Sequence, residues 1–397
     1  MLDKNAQRQT GEYILCSANS DPFQAFVPKR LPPDPPLQLD TELQNLIEKA
    51  TLALGRLDGV TSLLPDTYLF TYFYVRKEAV LSSQIEGTQS TLEQLLLFEN
   101  EQAPGMPVSD DVSEVSSYVK AMQHGLFNIK SETGLPLSLR LLKEIHGILL
   151  EQGRGSHRLP GEFRSSQNWV GGTKPSNAAY VGPPAELVMP CLAELEEFLY
   201  DKLGRTPALI KTALAHVQFE TIHPFLDGNG RLGRLLITLL LCSEGALREP
   251  MLYLSLYFKT HRQEYYERLQ NVRINGDWEG WLRFFLTGVL ETAQQAVEAA
   301  QSILRLFDTD RKRIASLGRP ANSALRVHEI LQRRPIISAS TAAKTLLLSE
   351  TTVRTSLKQL EKLRIVREVT GKDRNRHYVY DVYMSILDEG TKPIEVI

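Results

Sequence analysis

Residues 223–234 read His-Pro-Phe-Leu-Asp-Gly-Asn-Gly-Arg-Leu-Gly-Arg, and four chemical capacities fall inside this string. His223 titrates near neutral pH and can act as a general base. Asp227 offers the hard oxygen that Mg²⁺ prefers. Gly228-Asn229-Gly230 tolerates positive φ and lets the backbone turn tightly before a helix, so that several N–H groups converge on one point, as at a phosphate site. Arg231 and Arg234 are three positions apart on the helix that follows and share a face, where guanidinium groups clamp phosphate oxygens. Base, metal ligand, anion cradle and cationic clamp together point to phosphoryl or nucleotidyl transfer. Gly-Asn-Gly alone would mean no more than an interhelical turn, and no Gly-Lys-Ser/Thr follows to make a P-loop.

Two helical patterns must hold this string. Residues 208–219 carry apolar side chains at helical spacing, and residues 231–242 are leucine-rich. Earlier in the chain, Asp40-Thr41-Glu42-Leu43 is a helix start continued by Ile47, Ala50, Leu54 and Leu57, and Tyr68 to Leu81 is a second, aromatic-rich helix. Residues 110–152 give two more, in which His146 reads as a packed histidine, because no second ligand stands at metal spacing. His216 also reads as packed. Residues 153–183 break the helical pattern. Two short β-type runs, with Trp169 and Val170 in one and Tyr180 and Val181 in the other, flank a Gly/Lys/Pro/Ser turn and read as a hairpin or a solvent loop. Phe225 is the apolar anchor of the loop.

The string resembles the Fic family signature, His-x-Phe-x-(Asp/Glu)-Gly-Asn-Gly-Arg-x-x-Arg, at every fixed position. The resemblance implies a mainly α fold: a Fic-type helical core with a β-hairpin flap. It also implies an enzyme that moves AMP from ATP to a Tyr, Thr or Ser hydroxyl of a target protein, itself included. Under it, His223 is the base, Asp227 the Mg²⁺ ligand, and Asp227, Gly228, Asn229, Gly230, Arg231, Leu232, Gly233 and Arg234 bind nucleotide. ATP and Mg²⁺ are the implied cofactors. Ser82-x-x-x-Glu86-Gly87 resembles the family's inhibitory motif, with Glu86 reaching Arg234 and taking the cation meant for the γ-phosphate. By local chemistry alone, Glu86 would be a solvated acid before a C-terminal glycine. The hairpin resembles the flap that holds a target segment by strand addition, with Trp169, Val170, Tyr180 and Val181 as docking residues. Tyr265, Tyr266 or Asn275 would line the adenine pocket.

With 397 residues the chain has room for several domains, and its net charge of −2 selects neither nucleic acid nor membrane as a partner of the whole. Cys16, Cys191 and Cys242 are scattered and odd in number, which fits reduced thiols in a cytoplasmic protein. No apolar run is long enough to span a bilayer. The expected layout is a proline-rich arm over 1–38, a helical extension with the inhibitory motif over 39–115, the catalytic core over 116–300, a linker helix over 301–319, and a winged helix-turn-helix over 320–397. From residue 319 onward there are 14 Lys/Arg against 9 Asp/Glu, an excess of five positive charges. Thr352, Arg354, Thr355 and Lys358 would face a major groove, and Lys372, Arg374 and Arg376 would lie in the wing. A protein-protein module of the same shape remains open, as does a homodimer. Two other functions stay open: a transcription regulator whose core only senses nucleotide, and a site that moves another phosphate-linked group or removes AMP.

Overall fold

The computed structural model describes residues 8–18, 21–63, 67–99, 109–200, 206–371 and 376–393. In chain order the elements are β1 (Gly11–Ala18), β2 (Asp21–Pro28), α1 (Thr41–Leu63), α2 (Thr67–Ile85), α3 (Leu92–Glu99), α4 (Asp110–Lys130) and α5 (Leu139–Leu149). Then come β3 (Trp169–Val170), β4 (Tyr180–Val181), α6 (Ala185–Leu199), α7 (Ala208–Ile222), α8 (Asn229–Ser243), α9 (Ser255–Thr260), α10 (Arg262–Asn275) and α11 (Trp278–Ala315). The C-terminal elements are α12 (Ala321–Arg333), β5 (Ile336–Ser338), α13 (Ala339–Leu346), α14 (Glu350–Lys362), β6 (Val366–Glu368), β7 (His377–Tyr380) and α15 (Asp381–Leu387).

The fold is mainly helical, and its centre is the hairpin α7–α8. Every residue from Leu209 to Ile222 is buried, so α7 has no polar face to water. It lies against α6, α8, α10 and α11, while α8 lies against α2, α4 and α5. A helix buried on all sides belongs inside a larger bundle, and its polar side chains must find partners there. The loop joining two such helices is therefore held from both ends.

Local signals set the helix starts. The Asp40 carboxylate accepts from Leu43 N at 2.9 Å, and Ser109 and Ser138 cap α4 and α5. Each cap contributes about 1 kcal/mol. Leu43, Ala50, Leu54 and Leu57 of α1 are buried at the predicted helical spacing, and α1 packs along α11.

Two features go beyond the sequence expectations. Residues 11–28 form an antiparallel hairpin, β1 paired with β2 from Gly11↔Pro28 to Ala18↔Asp21, where a proline-rich arm is expected. Its Phe23 and Ala25 pack with Val181 of β4, so the N-terminal hairpin buttresses the second one. Second, α11 runs 38 residues without a break at residue 300. One continuous apolar core then reaches from Leu31 to Leu387 and includes the C-terminal elements. These form three helices and a three-stranded antiparallel sheet in the order β5-β7-β6, followed by the short α15. Tyr380 of β7 donates to Asp310 of α11 at 2.8 Å, and Tyr383 of α15 meets Phe73 of α2 edge-on.

Candidate active site

The loop between α7 and α8 is bonded into one shape. His223 ends α7 in the left-handed region, φ 50° and ψ 59°. Gly228, at φ 75°, precedes α8 and supplies a conformation that side chains disfavour. The His223 carbonyl accepts from Arg164 Nε at 2.9 Å and Asn168 Nδ2 at 3.1 Å. Asn168 also donates to the Phe225 carbonyl at 2.6 Å. The Asn229 side chain accepts from Phe225 N and donates to Phe225 O, at 2.9 and 2.8 Å. Asn229 thus braces the loop with its side chain and offers only its backbone N–H to a ligand.

Beneath the loop, Phe225 is fully buried and stacks on the His146 ring, centroids 3.7 Å apart. His146 is the packed residue its sequence context predicts. It also ties the loop to its support: Nε2 donates to Asp227 O at 3.0 Å and Nδ1 accepts from Gly161 N at 2.8 Å. Burial lowers its pKa to about 4, so the ring stays neutral at physiological pH. His216 similarly joins Gly233 O of α8 to the Tyr265 hydroxyl of α10, at 3.0 and 2.8 Å.

The loop opens on a cavity of about 720 Å³. His223, Leu226 and the segment Asp227 to Arg231 line it, together with Arg234, Glu86, Glu220, Arg154, Arg262 and Arg273. Among the described residues, five arginines face the three carboxylates of Glu86, Glu220 and Asp227, a balance suited to a polyanion. Tyr265, Tyr266, Leu269 and Gln270 give the cavity an apolar, aromatic wall. Asn275 is not on that wall; it bonds to Asn271 along α10. Leu232 is fully buried in the core and Gly233 lies against Glu220, so neither adds a side chain to the cavity.

The two motif arginines part company. Arg231 turns to Glu114 Oε2 at 3.3 Å and to Asp227 Oδ1 at 3.7 Å. Glu114, itself buried, is also held by Arg154 Nε at 2.9 Å. Arg234 turns to the end of α2. It donates to Ser82 Oγ at 2.9 Å, to Ser82 O at 3.0 Å and to Glu86 Oε1 at 2.7 Å. Gly87 follows at φ 97°, letting the chain leave the helix there. The guanidinium is 1% exposed, while 37% of the Glu86 side chain opens to the cavity, although protein atoms crowd round it. That crowding alone would raise the Glu86 pKa; the Arg234 charge and hydrogen bond outweigh it and lower it. Gly230 makes the contact possible, because a Cβ there would stand 2.4 Å from Glu86 Oε1.

The described residues hold no group of three or more His, Cys, Asp or Glu side chains that could bind a metal. Asp227 fits the single-carboxylate role in which phosphates and water supply the other oxygens. Its side chain is 42% exposed, and the missing side chain of Gly155 keeps the space beside Oδ2 clear.

The predicted hairpin is present, with Trp169↔Val181 and Val170↔Tyr180 in antiparallel register. Its four residues do not play one part. Trp169 and Val170 are exposed at 37% and 39%. Tyr180 and Val181 are buried; the Tyr180 hydroxyl donates to Thr221 O, and Arg273 stacks over its ring. Only β3 presents side chains outward.

A family comparison matches residues 44–127 to the Fic/DOC family N-terminal domain and residues 136–241 to the Fic/DOC family domain. Those two stretches carry Fic/DOC family domains. "Protein adenylyltransferase Fic" of Aedes aegypti is 32% identical over 202 residues, and that of Drosophila grimshawi 30% over 202. Those matches take in 50% of this chain and 37% and 38% of the relatives, so it spans well under half their length. Among solved structures, a Fic family protein from Desulfovibrio desulfuricans G20 shares the fold: TM-score 0.56, 20% identity, covering 87% of this chain and 97% of that one. A Fic-1 fragment from C. elegans aligns with TM-score 0.51 and 23% identity over 67% of this chain and 75% of that one. No helix among the described residues of this protein is long and apolar enough to cross a membrane.

Sequence reasoning missed Glu114, Arg154, Arg164, Asn168, Glu220 and Arg273. All lie outside the twelve-residue string, and nothing in their local spacing marks them.

Proposed function

We propose that this protein transfers AMP from ATP to a Tyr, Thr or Ser hydroxyl of a protein target, its own chain included. The observation that carries the reading is that His223, Asp227, the amide-bearing start of α8 and an excess of arginines share one cavity. Triphosphate lies along the N–H groups of Asn229 and Gly230, displaces Asp227 Oδ1 from the Gly228 N–H that it holds at 2.6 Å, and pairs with Arg231 and Arg234. Asp227 holds Mg²⁺, which neutralises phosphate charge. His223 takes the proton from the target hydroxyl as its oxygen bonds to the α-phosphorus, and pyrophosphate leaves. The target segment runs along the flap by adding to its backbone edge, with Trp169 and Val170 as outward contacts.

In this arrangement Arg234 is already occupied by Glu86 and Ser82. Nucleotide must compete for that cation, so the chain is autoinhibited from within. The test is transfer of radiolabelled AMP to the protein itself. Labelling by Glu86→Gly that His223→Ala abolishes supports the scheme. No labelling by Glu86→Gly, with ATP bound, would reject it. Mass spectrometry of the labelled chain separates AMP from other phosphate-linked groups.

A second reading concerns the C-terminal elements, which we read as a winged helix-turn-helix that contacts DNA. Arg354, Lys358 and Arg376 line one groove with Ser338, Ser340, Glu350 and Tyr378. Arg354, Thr355 and Lys358 are exposed on α14, and Thr352 is half-buried. Lys372 and Arg374 lie outside the described residues. Gel shifts on genomic fragments, with and without ATP, test this reading. The chain is taken to work in the cytoplasm, and a homodimer is compatible with it.

A further inference from the structure

Two buried polar atoms at the centre of the site lack a well-formed hydrogen bond. Oε1 of Glu220 makes no hydrogen bond, and Nδ1 of His223 makes none of good geometry, its one polar approach on the main chain being to the Glu220 backbone. They belong to adjoining side chains one helical turn apart, with His223 Nδ1 4.0 Å from Glu220 Oε2. The Glu220 side chain is 8% exposed. Buried polar groups are normally satisfied, so a pair left open in this way asks for a function.

The surroundings restrict what that function can be. The backbone of His223 is clamped by Phe219, Arg164 and Asn168, while beside the buried nitrogen its ring meets Glu220 through both the main chain and the carboxylate, the latter one small side-chain rotation short of a hydrogen bond. With Nδ1 inside the protein, Nε2 is the nitrogen left for the cavity. Glu220 is confined in turn: a Cβ at Gly233 would stand 2.3 Å from its Oε1. Gly233 thus keeps open the slot that the carboxylate fills.

We propose that Glu220 is the positioning residue of the His223 base, accepting Nδ1–H so that Nε2 carries the free lone pair toward the target hydroxyl. This rests on the AMP-transfer reading for its catalytic meaning, but not for its geometry. The target O–H proton moves to Nε2 as the O–Pα bond forms and the bond to pyrophosphate breaks. The imidazolium so created sits beside the Glu220 carboxylate, which stabilises it, and it returns the proton to solvent. An imidazole that is free to adopt the other tautomer would present N–H, not a lone pair, to the substrate.

Charge around the pair sets its working range. Glu220 faces Arg234 from α8, Arg273, Tyr265 and Tyr266 from α10, and Glu86 from the end of α2; Arg164 also faces His223. Burial raises the Glu220 carboxyl to about 7, opposed by Arg234 and Arg273 and reinforced by Glu86. Burial lowers the His223 imidazole to about 4, with Arg273 and Arg164 adding to it. Above pH ~7 the pair is therefore a carboxylate beside a neutral imidazole, the form that can accept a proton.

The test has two arms. Nitrogen-15 NMR of the wild-type chain at pH ~8, with His223→Ala for assignment, is expected to report the Nδ1–H tautomer for His223. The Nε2–H tautomer would overturn the proposal whether or not any variant folds. In the Glu86→Gly background, Glu220→Gln is expected to lower kcat for AMP transfer by about 100-fold. KM for ATP should stay within about twofold, and the rise in rate between about pH 6 and 8 should be lost. Glu220→Asp should restore part of the rate and of the pH dependence. An unchanged kcat and pH profile in Glu220→Gln would overturn the proposal. Should the Glu86→Gly parent itself transfer nothing, the AMP-transfer reading falls, and the NMR arm alone decides the tautomer.

Discussion

Glu86 and Arg234 stand 148 positions apart in sequence, and their side chains meet at 2.7 Å. One follows directly on the end of α2 and the other is the last arginine of the motif. Replacing Glu86 by Gly leaves Arg234 held by Ser82 and opens one of its Nη2 N–H groups to the cavity. We expect self-labelling with AMP to rise at least about tenfold, because a charge-assisted bond of this kind is worth roughly 1.5–3 kcal/mol. A filter assay with radiolabelled ATP measures it, and labelling no greater than wild type would count against autoinhibition.

The same contact predicts how the block responds to acid. Arg234 holds the Glu86 carboxyl below its usual range, against the opposing effect of crowding. A lowered carboxyl pKa gives stabilisation that is complete above the unfolded value and lost only as pH falls through the folded one. Acidification from pH ~7 to ~5 should therefore leave the block in place. Wild-type labelling, compared with Glu86→Gly at each pH, tests this; convergence of the two near pH 5 would refute it.

Glu78 behaves oppositely. It is buried, bonded to Ser255 N at 3.2 Å and to the Ser255 hydroxyl, and burial raises it to about 7. Between pH ~4.5 and ~7 the folded state holds a proton that the unfolded state has lost, so stability falls as pH rises through that window. Glu78→Gln should remove this fall, making the variant more stable than wild type at pH 8 by on the order of a few kcal/mol relative to pH 5. Urea midpoints at the two pH values provide the measurement.

His146→Ala should loosen the catalytic loop from below. It removes the stack on Phe225 and leaves Asp227 O and Gly161 N without partners. We expect a loss of about 2–4 kcal/mol in unfolding free energy. ATP affinity, followed by calorimetry in the Glu86→Gly background, should fall as well. The wild-type ring, neutral when folded, should cost stability as pH drops from about 6.5 toward 4, and the variant should lack that limb.

For the C-terminal elements, Lys358→Glu and Arg376→Glu should each weaken binding to duplex DNA about tenfold or more at moderate salt. Each should also flatten the salt dependence by about one phosphate contact. Self-labelling by either variant should match wild type, since both residues lie in the groove far along the chain from the motif. DNA affinity unchanged by both would favour a protein partner for this surface.

How much of the site is legible in sequence depends on distance along the chain. The loop from His223 to Arg234 is readable because its parts are neighbours: imidazole, turn and arginines fall within twelve residues. Glu86 is readable only through family resemblance, since local chemistry offers an equally good solvated acid before Gly87. Glu114, Arg164 and Glu220 are not readable. Their roles come from tertiary packing, with Arg164 meeting a carbonyl 59 positions away and Glu114 meeting Arg231 across 117. The flap reads as a hairpin, but period-two alternation cannot show that β4 is covered by a second hairpin. That second hairpin lies in a stretch whose prolines suggest an arm.

The Gln84 side chain, two residues before Glu86, donates to Ser90 O at 2.9 Å and to Thr391 O at 2.7 Å. Lys259 of α9 fastens the same segment through Gly390 O at 3.1 Å. Shortening the chain to its catalytic helices would cut this fastening, and the end of α2 would lose an anchor on the side away from Arg234. A trimmed fragment would then be a poor reporter of how tightly the intact molecule restrains itself, and activity measured on it would overstate the resting rate.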